Sequence, residues 1–270
     1  MRKTPPSTVE LSPREKAEQL AAVARKDREF HRRTASEYDR DITSEYAMYH
    51  RWNLYPWIRR AAVRHQGGKA LDVGTGTGAV AVPLADAGFR VIAIDHSPEM
   101  LRQAAAKSVL EASPLLLTRA DVLCLPFAAG TFDVVTMQGI LHHVPLAVGD
   151  VVGEAARVLK AGGEFYVSEP CSNLSLLGRV LRLPLRFKRG APDPKETDEE
   201  ALPWGRLRAA LDGAGLEYQA SFMTHVPYRR FRSWLTPRVR LLATLVLSFP
   251  FRRGDILFVH GRKRASTYPP

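Results

Sequence analysis

Cysteine is scarce in this chain, which has Cys124 and Cys171 as its two thiols among 270 residues. Two thiols provide no disulfide framework, so we predict reduced cysteines and exclude a small disulfide-stabilised scaffold. Long apolar runs are also missing, because the stretch from Leu241 to Phe251 is much shorter than the roughly 20 residues that a membrane-spanning helix needs. Arg2 and Lys3 are followed by polar residues and prolines rather than by an apolar signal core. We therefore predict a cytoplasmic protein that is not exported.

Acids are too few to balance the bases, since 28 aspartates and glutamates face 39 lysines and arginines, for a formal charge of +11. The excess is concentrated in residues 171–190 and 228–264, where arginines interrupt apolar runs. This pattern of basic and apolar residues is typical of a surface that binds an anionic membrane or a lipid-like substrate. A solvated helix face is the alternative interpretation. We therefore predict, as one possibility, peripheral contact with the inner face of an anionic membrane. The sequence leaves the oligomeric state open.

The stretch Lys69 to Gly78, KALDVGTGTG, begins a ligand site. Its apolar residues predict a short buried strand, and its glycines allow a sharp turn with no side chain between backbone and ligand. Residues 80–87 then carry apolar side chains at helical spacing. The glycine loop would therefore lie at a helix N-terminus, where free amide groups favour a polar or anionic ligand. A strand, a glycine loop and a helix predict the first unit of a nucleotide-binding α/β domain.

Two acids narrow the choice of ligand. Asp72 lies at the end of the first predicted strand, where a carboxylate would repel a pyrophosphate but could receive an ammonium group. Asp95 ends a second predicted strand, about 20 residues past the first glycine, the distance at which an acid meets ribose hydroxyls. Asp95 also fits a nicotinamide dinucleotide, and the glycines satisfy the looser dinucleotide motif. A nicotinamide oxidoreductase is therefore one alternative, although it leaves Asp72 unexplained.

Further motifs continue the pattern. The pieces LDVGTGTG, AIDHS, ADVLCLPF, FDVVTMQGILHHV and RVLKAGGEFYVSEP occur in that order, and with flanking sequence the match covers roughly residues 35–170. This ordered set resembles the class I S-adenosylmethionine-dependent methyltransferases, and within them the small-molecule, UbiE-like branch. The resemblance implies S-adenosyl-L-methionine as the cofactor and no metal ion. It also implies an α/β fold: a Rossmann-like, doubly wound, seven-stranded sheet, parallel with an antiparallel C-terminal strand, in a single domain with an N-terminal helical lid and substrate-recognition insertions.

We divide the chain into five segments on this basis. A disordered N-terminus (1–13) precedes an N-terminal helical cap (14–65), and the S-adenosylmethionine-binding core (66–170) follows. Substrate-recognition insertions with a sixth strand (171–254) and a terminal strand with a basic tail (255–270) complete the chain.

The resemblance also assigns cofactor-binding roles. It implies that the glycine loop surrounds the amino-acid part of the cofactor, that Asp95 accepts from the ribose hydroxyls and that Asp121 accepts from the adenine amino group. Gln138, just beyond the fourth strand, would lie near the methionine carboxylate or amine, and Tyr38 would lie over the methionine end. The implied cofactor residues are Tyr38, Asp72, Gly74, Thr75, Gly76, Gly78, Asp95, His96, Asp121, Val122 and Gln138.

Three residues are candidates for the transfer chemistry. Methyl transfer is an in-line displacement at a carbon that the sulfonium already activates, so the protein mainly aligns the reacting atoms. A hydroxyl acceptor must also lose a proton, and histidine is the usual base near neutral pH. His142 and His143 follow the fourth strand, at the carboxyl edge where α/β sheets bind ligands. We favour His143 slightly as the base, with Glu169, at the end of the fifth strand, as the carboxylate partner of the pair.

The predicted function is methyl transfer to a small-molecule acceptor, in the first place a hydroxyl of a biosynthetic or lipid-linked metabolite. Carbon or nitrogen transfer to a small molecule and transfer to tRNA or other RNA are alternatives, and a cofactor-binding scaffold is the non-enzymatic one. The basic charge suits RNA, but the Asn-Pro-Pro-aromatic motif of many base-methylating enzymes is absent after the fourth strand, where Gln138 to Leu141 stands. We therefore expect a hydrophobic or lipid-linked small molecule, rather than nucleic acid, as the partner.

Overall fold

The computed structural model describes residues 12–38, 50–171, 201–223 and 256–265. Seven strands form one sheet in the order β3-β2-β1-β4-β5-β7-β6. Their bounds are β1 Lys69–Val73, β2 Arg90–Asp95, β3 Leu115–Arg119, β4 Phe132–Gln138, β5 Leu159–Pro170, β6 Leu216–Met223 and β7 Ile256–Lys263. Strand β7 runs antiparallel to both β5 and β6, whereas the pairs among β1 to β5 are parallel. The predicted α/β fold with an antiparallel C-terminal strand is confirmed.

The helices alternate with the strands. Their bounds are α1 Pro13–Tyr38, α2 Tyr55–Arg64, α3 Ala81–Asp86, α4 Pro98–Leu110, α5 Val148–Val158 and α6 Trp204–Gly213. A π-helical turn, His50–Leu54, leads into α2, and two 3-10 turns, Leu141–His143 and Pro145–Ala147, lead into α5. Local sequence explains where α4 begins, because the Ser97 hydroxyl accepts from the Met100 amide at 3.3 Å and Pro98 occupies the first turn.

Helices cover both faces of the sheet. Its inner strands therefore consist of nearly continuous apolar residues. On one face, Trp57 and Ala61 of α2 pack with Tyr166 and Phe258 of the sheet. On the other face, α5 and α6 bury their apolar stripes against strand residues. This second layer includes Val151, Val152, Ala155, Phe165, Val167, Leu207, Leu211 and Val259. The two cores fix the sheet and hence the positions of the loops at its carboxyl edge.

The strand order reverses between β1 and β4, which lie side by side. The chain leaves β1 towards β2 and leaves β4 towards β5, so the loops after β1 and β4 diverge and leave a crevice between them. In open α/β sheets ligands bind in this crevice. The glycine loop after β1 and Gln138 at the end of β4 both lie there.

Parts of the predicted cap and of the predicted insertions lie outside the described residues. These are residues 39–49, 172–200 and 224–255, and they include most of the two basic apolar stretches. The division of the chain into five segments therefore stays a prediction. Within the ranges that the structure describes, no helix has the length and apolar character required to cross a membrane.

Candidate cofactor and acceptor site

The glycine loop after β1 leaves open space on its ligand side. Gly74 has a φ of +69°, and a Cβ built there would lie 2.9 Å from the Ile140 side chain, so a larger residue would collide with the loop after β4. Gly76 has a φ of +52° and nothing within 4 Å of a Cβ built on it. The Thr75 amide donates to the Ile94 carbonyl at 2.8 Å, which ties the loop to β2. The loop can therefore accept a ligand against its backbone.

Asp72 lies beneath this loop and is almost fully buried, with 2% of its surface exposed. Its two carboxylate oxygens accept from the Thr75 and Thr136 hydroxyls, each at 2.7 Å. Burial raises the pKa of Asp72 to about 6, although the two hydroxyl hydrogen bonds oppose the shift. Near neutral pH most of these carboxyl groups are ionised, as binding of an ammonium group requires.

Asp95 ends β2 and is also buried. Its carboxylate accepts from the Gly76 amide at 2.9 Å and from the Ser97 amide at 2.8 Å. Each carboxylate oxygen has a second acceptor position, so these bonds fix the orientation of Asp95 and leave capacity for the hydroxyls of a ribose. His96 follows with its Nδ1 atom 3.5 Å from Asp95 Oδ1.

A cavity of about 690 Å³ extends from this edge to helix α1. His96, Asp121 and Val122 line it from the ends of β2 and β3, and the apolar side chains of α1 line it from the other side. Asp121 is exposed and accepts from the Leu123 amide at 2.9 Å. The ion pair between Lys16 and Asp150, at 2.9 Å, joins α1 to α5 across the site. Tyr38 ends α1, but its side chain lies outside the described part of the structure.

Gln138 and His50 meet beside the switch point. His50 opens the π-helical turn, is 4% exposed and lies beside the Gln138 side chain. Burial is the main reason why the pKa of His50 falls to about 4, so the ring is neutral at pH 7. The Gln138 side-chain oxygen is buried and has no hydrogen-bond donor among the residues described. A ligand donor at this point would therefore satisfy it.

Glu169 organises the loop that carries both candidate histidines. Its side chain is completely buried, and its Oε1 atom accepts from the Ile140 and Leu141 amides, both at 2.8 Å. Its Oε2 atom lies 2.7 Å from His142 Nδ1. If Glu169 is ionised, His142 donates from Nδ1, which leaves the Nε2 atom as the basic position of the ring. The carboxylate thus fixes both the tautomer and the orientation of His142.

His143 occupies a different environment. Its ring stacks against that of His142, with centroids 4.1 Å apart and planes inclined by 37°. It is half-buried and lines the 690 Å³ cavity together with Ile140 and Val144. The structure therefore brings both histidines and Glu169 together, with His142 in contact with the carboxylate and His143 stacked on His142.

Sequence reasoning missed two residues of this edge. Thr136, the polar residue inside the apolar strand β4, bonds Asp72, and its position in that strand was a usable signal. His50 lies in the aromatic stretch before α2, where sequence gives no sign that its ring reaches Gln138.

The strand order, the glycine loop and the acids along the carboxyl edge define the fold of the class I S-adenosylmethionine-dependent methyltransferases. The solved structures agree with this class. A methyltransferase of this kind from Methanosarcina mazei is 21% identical, with a TM-score of 0.52 over 75% of this chain and 95% of that chain. The cyclase SpnF is 18% identical, with a TM-score of 0.53 over 79% of this chain and 81% of that chain. Such likenesses establish the fold alone, and the cyclase illustrates that one fold hosts different reactions.

Residues 71–167 match the family model described as "Methyltransferase domain". The predicted resemblance and cofactor are thus confirmed. A demethylmenaquinone methyltransferase from Corynebacterium urealyticum is 33% identical over 167 residues, which cover 60% of this chain and 63% of that protein. The chain spans from 36% to 65% of the length of the curated relatives compared with it.

Proposed function

We propose that this chain transfers a methyl group from S-adenosylmethionine to a hydroxyl-bearing small molecule, with a histidine as the proton acceptor. The observation that carries the proposal is the buried hydrogen bond between Glu169 and His142, at 2.7 Å, on the same sheet edge as the glycine loop. A carboxylate, a histidine and a nearby ligand crevice form the arrangement that general-base catalysis requires.

The cofactor residues support the first half of the proposal. Asp72, held by two hydroxyls, would receive the ammonium group, and the open side of Gly76 would accept the backbone of the ligand. Asp95 would accept from the ribose hydroxyls, and Asp121 with Val122 would meet the adenine in the cavity. When bound, the cofactor supplies an activated methyl group on a sulfonium.

We assign proton removal to His142 rather than to His143. Glu169 stabilises the protonated form of His142 and orients its ring through the 2.7 Å contact with Nδ1. His143 lines the cavity and would contact the acceptor as a packing surface. The sequence-based preference for His143 is the alternative, and the two assignments predict opposite rankings of variants.

We propose an aromatic hydroxyl compound, a phenol or quinol, as the class of acceptor. The relative from Corynebacterium urealyticum is named for demethylmenaquinone, a compound of the quinone type. Removal of a phenolic proton places negative charge on the ring carbons as well as on the oxygen. The same histidine base can therefore serve methylation at oxygen or at carbon. The orientation of the bound acceptor determines which of the two atoms lies in line with the methyl group.

The test compares His142→Asn with the matched variant His143→Asn, using radiolabelled S-adenosylmethionine with demethylmenaquinol and a panel of simple phenols. We expect the transfer rate of His142→Asn to fall by about 10²- to 10⁴-fold, and that of His143→Asn by less than about tenfold. Binding of S-adenosylhomocysteine should change little in either variant. The opposite ranking would make His143 the base, and a wild-type protein that binds S-adenosylhomocysteine but methylates none of these compounds would overturn the acceptor class.

A lipid-linked acceptor would bring the protein to a membrane surface, as the basic apolar stretches predict. Flotation with vesicles that contain anionic lipid tests this part of the proposal separately. A protein that stays at the bottom of the gradient at low salt would exclude it.

A further inference from the structure

A second cavity, of about 440 Å³, lies on the same face of the sheet as α2 but towards the opposite edge from the glycine loop. Strand residues line its floor in two cross-strand rows: Glu164, Arg262 and Glu217, and then His260 and Gln219. Helix α2 forms the wall with Trp57, Arg60 and Arg64. Because side chains alternate along strands, these rows face the cavity together. No residue of the cofactor edge lines it.

The acidic groups of this second cavity already have partners. Both oxygens of Glu164 accept from the Arg64 guanidinium, and His65 Nε2 lies 3.3 Å from Glu164 Oε1. Glu217 pairs with Arg264 at 3.1 Å. Four guanidinium groups in and beside the cavity therefore face two carboxylates. Arg60 and Arg262 form no ion pair with any described residue.

The remaining polar groups of the cavity do not offset this excess of guanidinium groups over carboxylates. The Trp57 side chain is 2% exposed, and its Nε1 donor has no acceptor among the residues that the structure describes. Burial lowers the pKa of His260, and the charges of Arg60 and Arg64 lower it further against the opposing effect of Glu164. His260 is thus neutral at pH 7 and adds no charge of its own. The cavity thus holds two arginines without an ion pair to any described residue and a Trp57 N–H without a described acceptor.

We propose that this second cavity binds a small anionic ligand through a phosphate or carboxylate group held by Arg60 and Arg262. The planar guanidinium offers paired donors that match both oxyanions, and the Trp57 N–H would add a neutral donor. The cavity is large enough for the phosphate end of a metabolite or of a lipid head group. The site is independent of methyl transfer, because none of its residues belongs to the cofactor edge.

Calorimetric titration of the full chain with inorganic pyrophosphate, at low and at high salt, tests the site. We expect binding that weakens about ten- to hundredfold in Arg60→Ala/Arg262→Ala and that weakens with salt. Arg59→Ala is the matched control, since Arg59 is an exposed arginine of α2, as Arg60 is, but does not line the cavity. S-adenosylhomocysteine should bind the double variant as it binds wild type, which shows that the variant is folded.

A second arm separates free phosphates from lipid head groups, with flotation on phosphatidylcholine vesicles that contain phosphatidic acid. A soluble phosphate ligand is supported if the double variant loses pyrophosphate binding but binds vesicles as wild type does. Vesicle binding that the double variant loses and Arg59→Ala keeps supports a lipid head group. The proposal is overturned if wild type binds neither probe, or if the double variant and Arg59→Ala bind both probes equally.

Discussion

The part of β5 that pairs with β7, Glu164 to Pro170, carries a glutamate–histidine pair near each end, and the two pairs differ in what else holds the carboxylate. At the carboxyl end Glu169 bonds the His142 ring and three loop amides, those of Ile140, Leu141 and His142. At the amino end Glu164 lies beside His65, but the Arg64 guanidinium binds both of its oxygens. Burial raises the pKa of Glu164, yet Arg64, aided by His65, outweighs burial and holds the pKa below its ordinary value.

The difference separates a structural pair from one suited to catalysis. A guanidinium neutralises Glu164 and leaves it little basicity to pass to His65. Amides only orient Glu169, so its charge stays directed at the His142 ring. The same holds for Asp72 and Asp95, which are held by hydroxyls and amides and form no ion pair with lysine or arginine in the described ranges. These three acids of the carboxyl edge thus pair with no lysine or arginine of the described ranges, whereas Glu164 pairs with Arg64.

The largest effect expected from this comparison is that of Glu169→Gln. The amide removes the charge that stabilises protonated His142, so we expect the methyl-transfer rate to fall by about 10²- to 10⁴-fold. Single-turnover kinetics with saturating cofactor measures the loss. Glu164→Gln is the matched substitution on the same strand and should keep at least about a third of the activity. Equal losses in the two variants would show that the comparison between the ends of β5 is wrong.

Asp95→Ala should have the next largest effect, on cofactor binding. Removal of the carboxylate frees the Gly76 and Ser97 amides and takes away the acceptor for two hydroxyls, so we expect S-adenosylhomocysteine to bind about 10- to 100-fold more weakly. Asp121→Ala should cost less, because Asp121 is exposed. Calorimetry of both variants gives the comparison, and an Asp121→Ala loss larger than that of Asp95→Ala would contradict it.

Much of the fold and of this edge could be predicted, because the signals are local. The glycine loop, the apolar strands and the acids that follow them specify their own geometry, and the sixth strand predicted within residues 171–254 is β6, Leu216–Met223. The terminal strand predicted within residues 255–270 is β7, Ile256–Lys263, whose whole length pairs with β6.

The contacts between distant segments could not be predicted from the same signals. The sequence favours a carboxylate for the histidine pair, but which ring meets Glu169 depends on the turn of the 3-10 segment Leu141–His143. The contact of His50 with Gln138 depends on how the π-helical turn packs on β4, and the pairing of Arg64 with Glu164 joins residues 100 positions apart. Such contacts depend on how distant segments pack together, and this packing leaves no periodic pattern in the sequence.

The raised pKa of Asp72 predicts a pH dependence of stability. Its value of about 6 in the folded chain lies above its ordinary value of 3.8, so the native state binds the proton more tightly. Stability from this group is therefore greatest below about pH 4 and falls by roughly 1 to 3 kcal/mol as pH rises towards 6. Asp72→Asn removes this loss, since an amide can keep hydrogen bonds to both Thr75 and Thr136.

Urea unfolding at pH 4.5, 6 and 7.5 measures the difference in unfolding free energy between wild type and Asp72→Asn. The other titrating groups contribute equally to both proteins, so their contributions cancel in this difference. The variant should gain relative stability with rising pH and should bind S-adenosylhomocysteine more weakly at pH 7.5, where wild-type Asp72 is charged. A difference in stability that is constant across this range would show that Asp72 titrates normally. Asp72 would then resemble Glu164 in having a charge that its surroundings satisfy.

The smallest effect concerns Glu164 itself and completes the comparison. Because its pKa is lowered, Glu164 contributes stability that is present above its ordinary pKa of 4.5 and is lost as pH falls below that value. Arg64 is 45% exposed, so we expect Glu164→Gln to lower the unfolding free energy at pH 7 by only about 1 kcal/mol, with little change below pH 4. Thermal unfolding at pH 7 and pH 3.5 measures both values. A variant that loses methyl transfer while it keeps its stability would place Glu164 in the chemistry and remove the distinction between the two ends of β5.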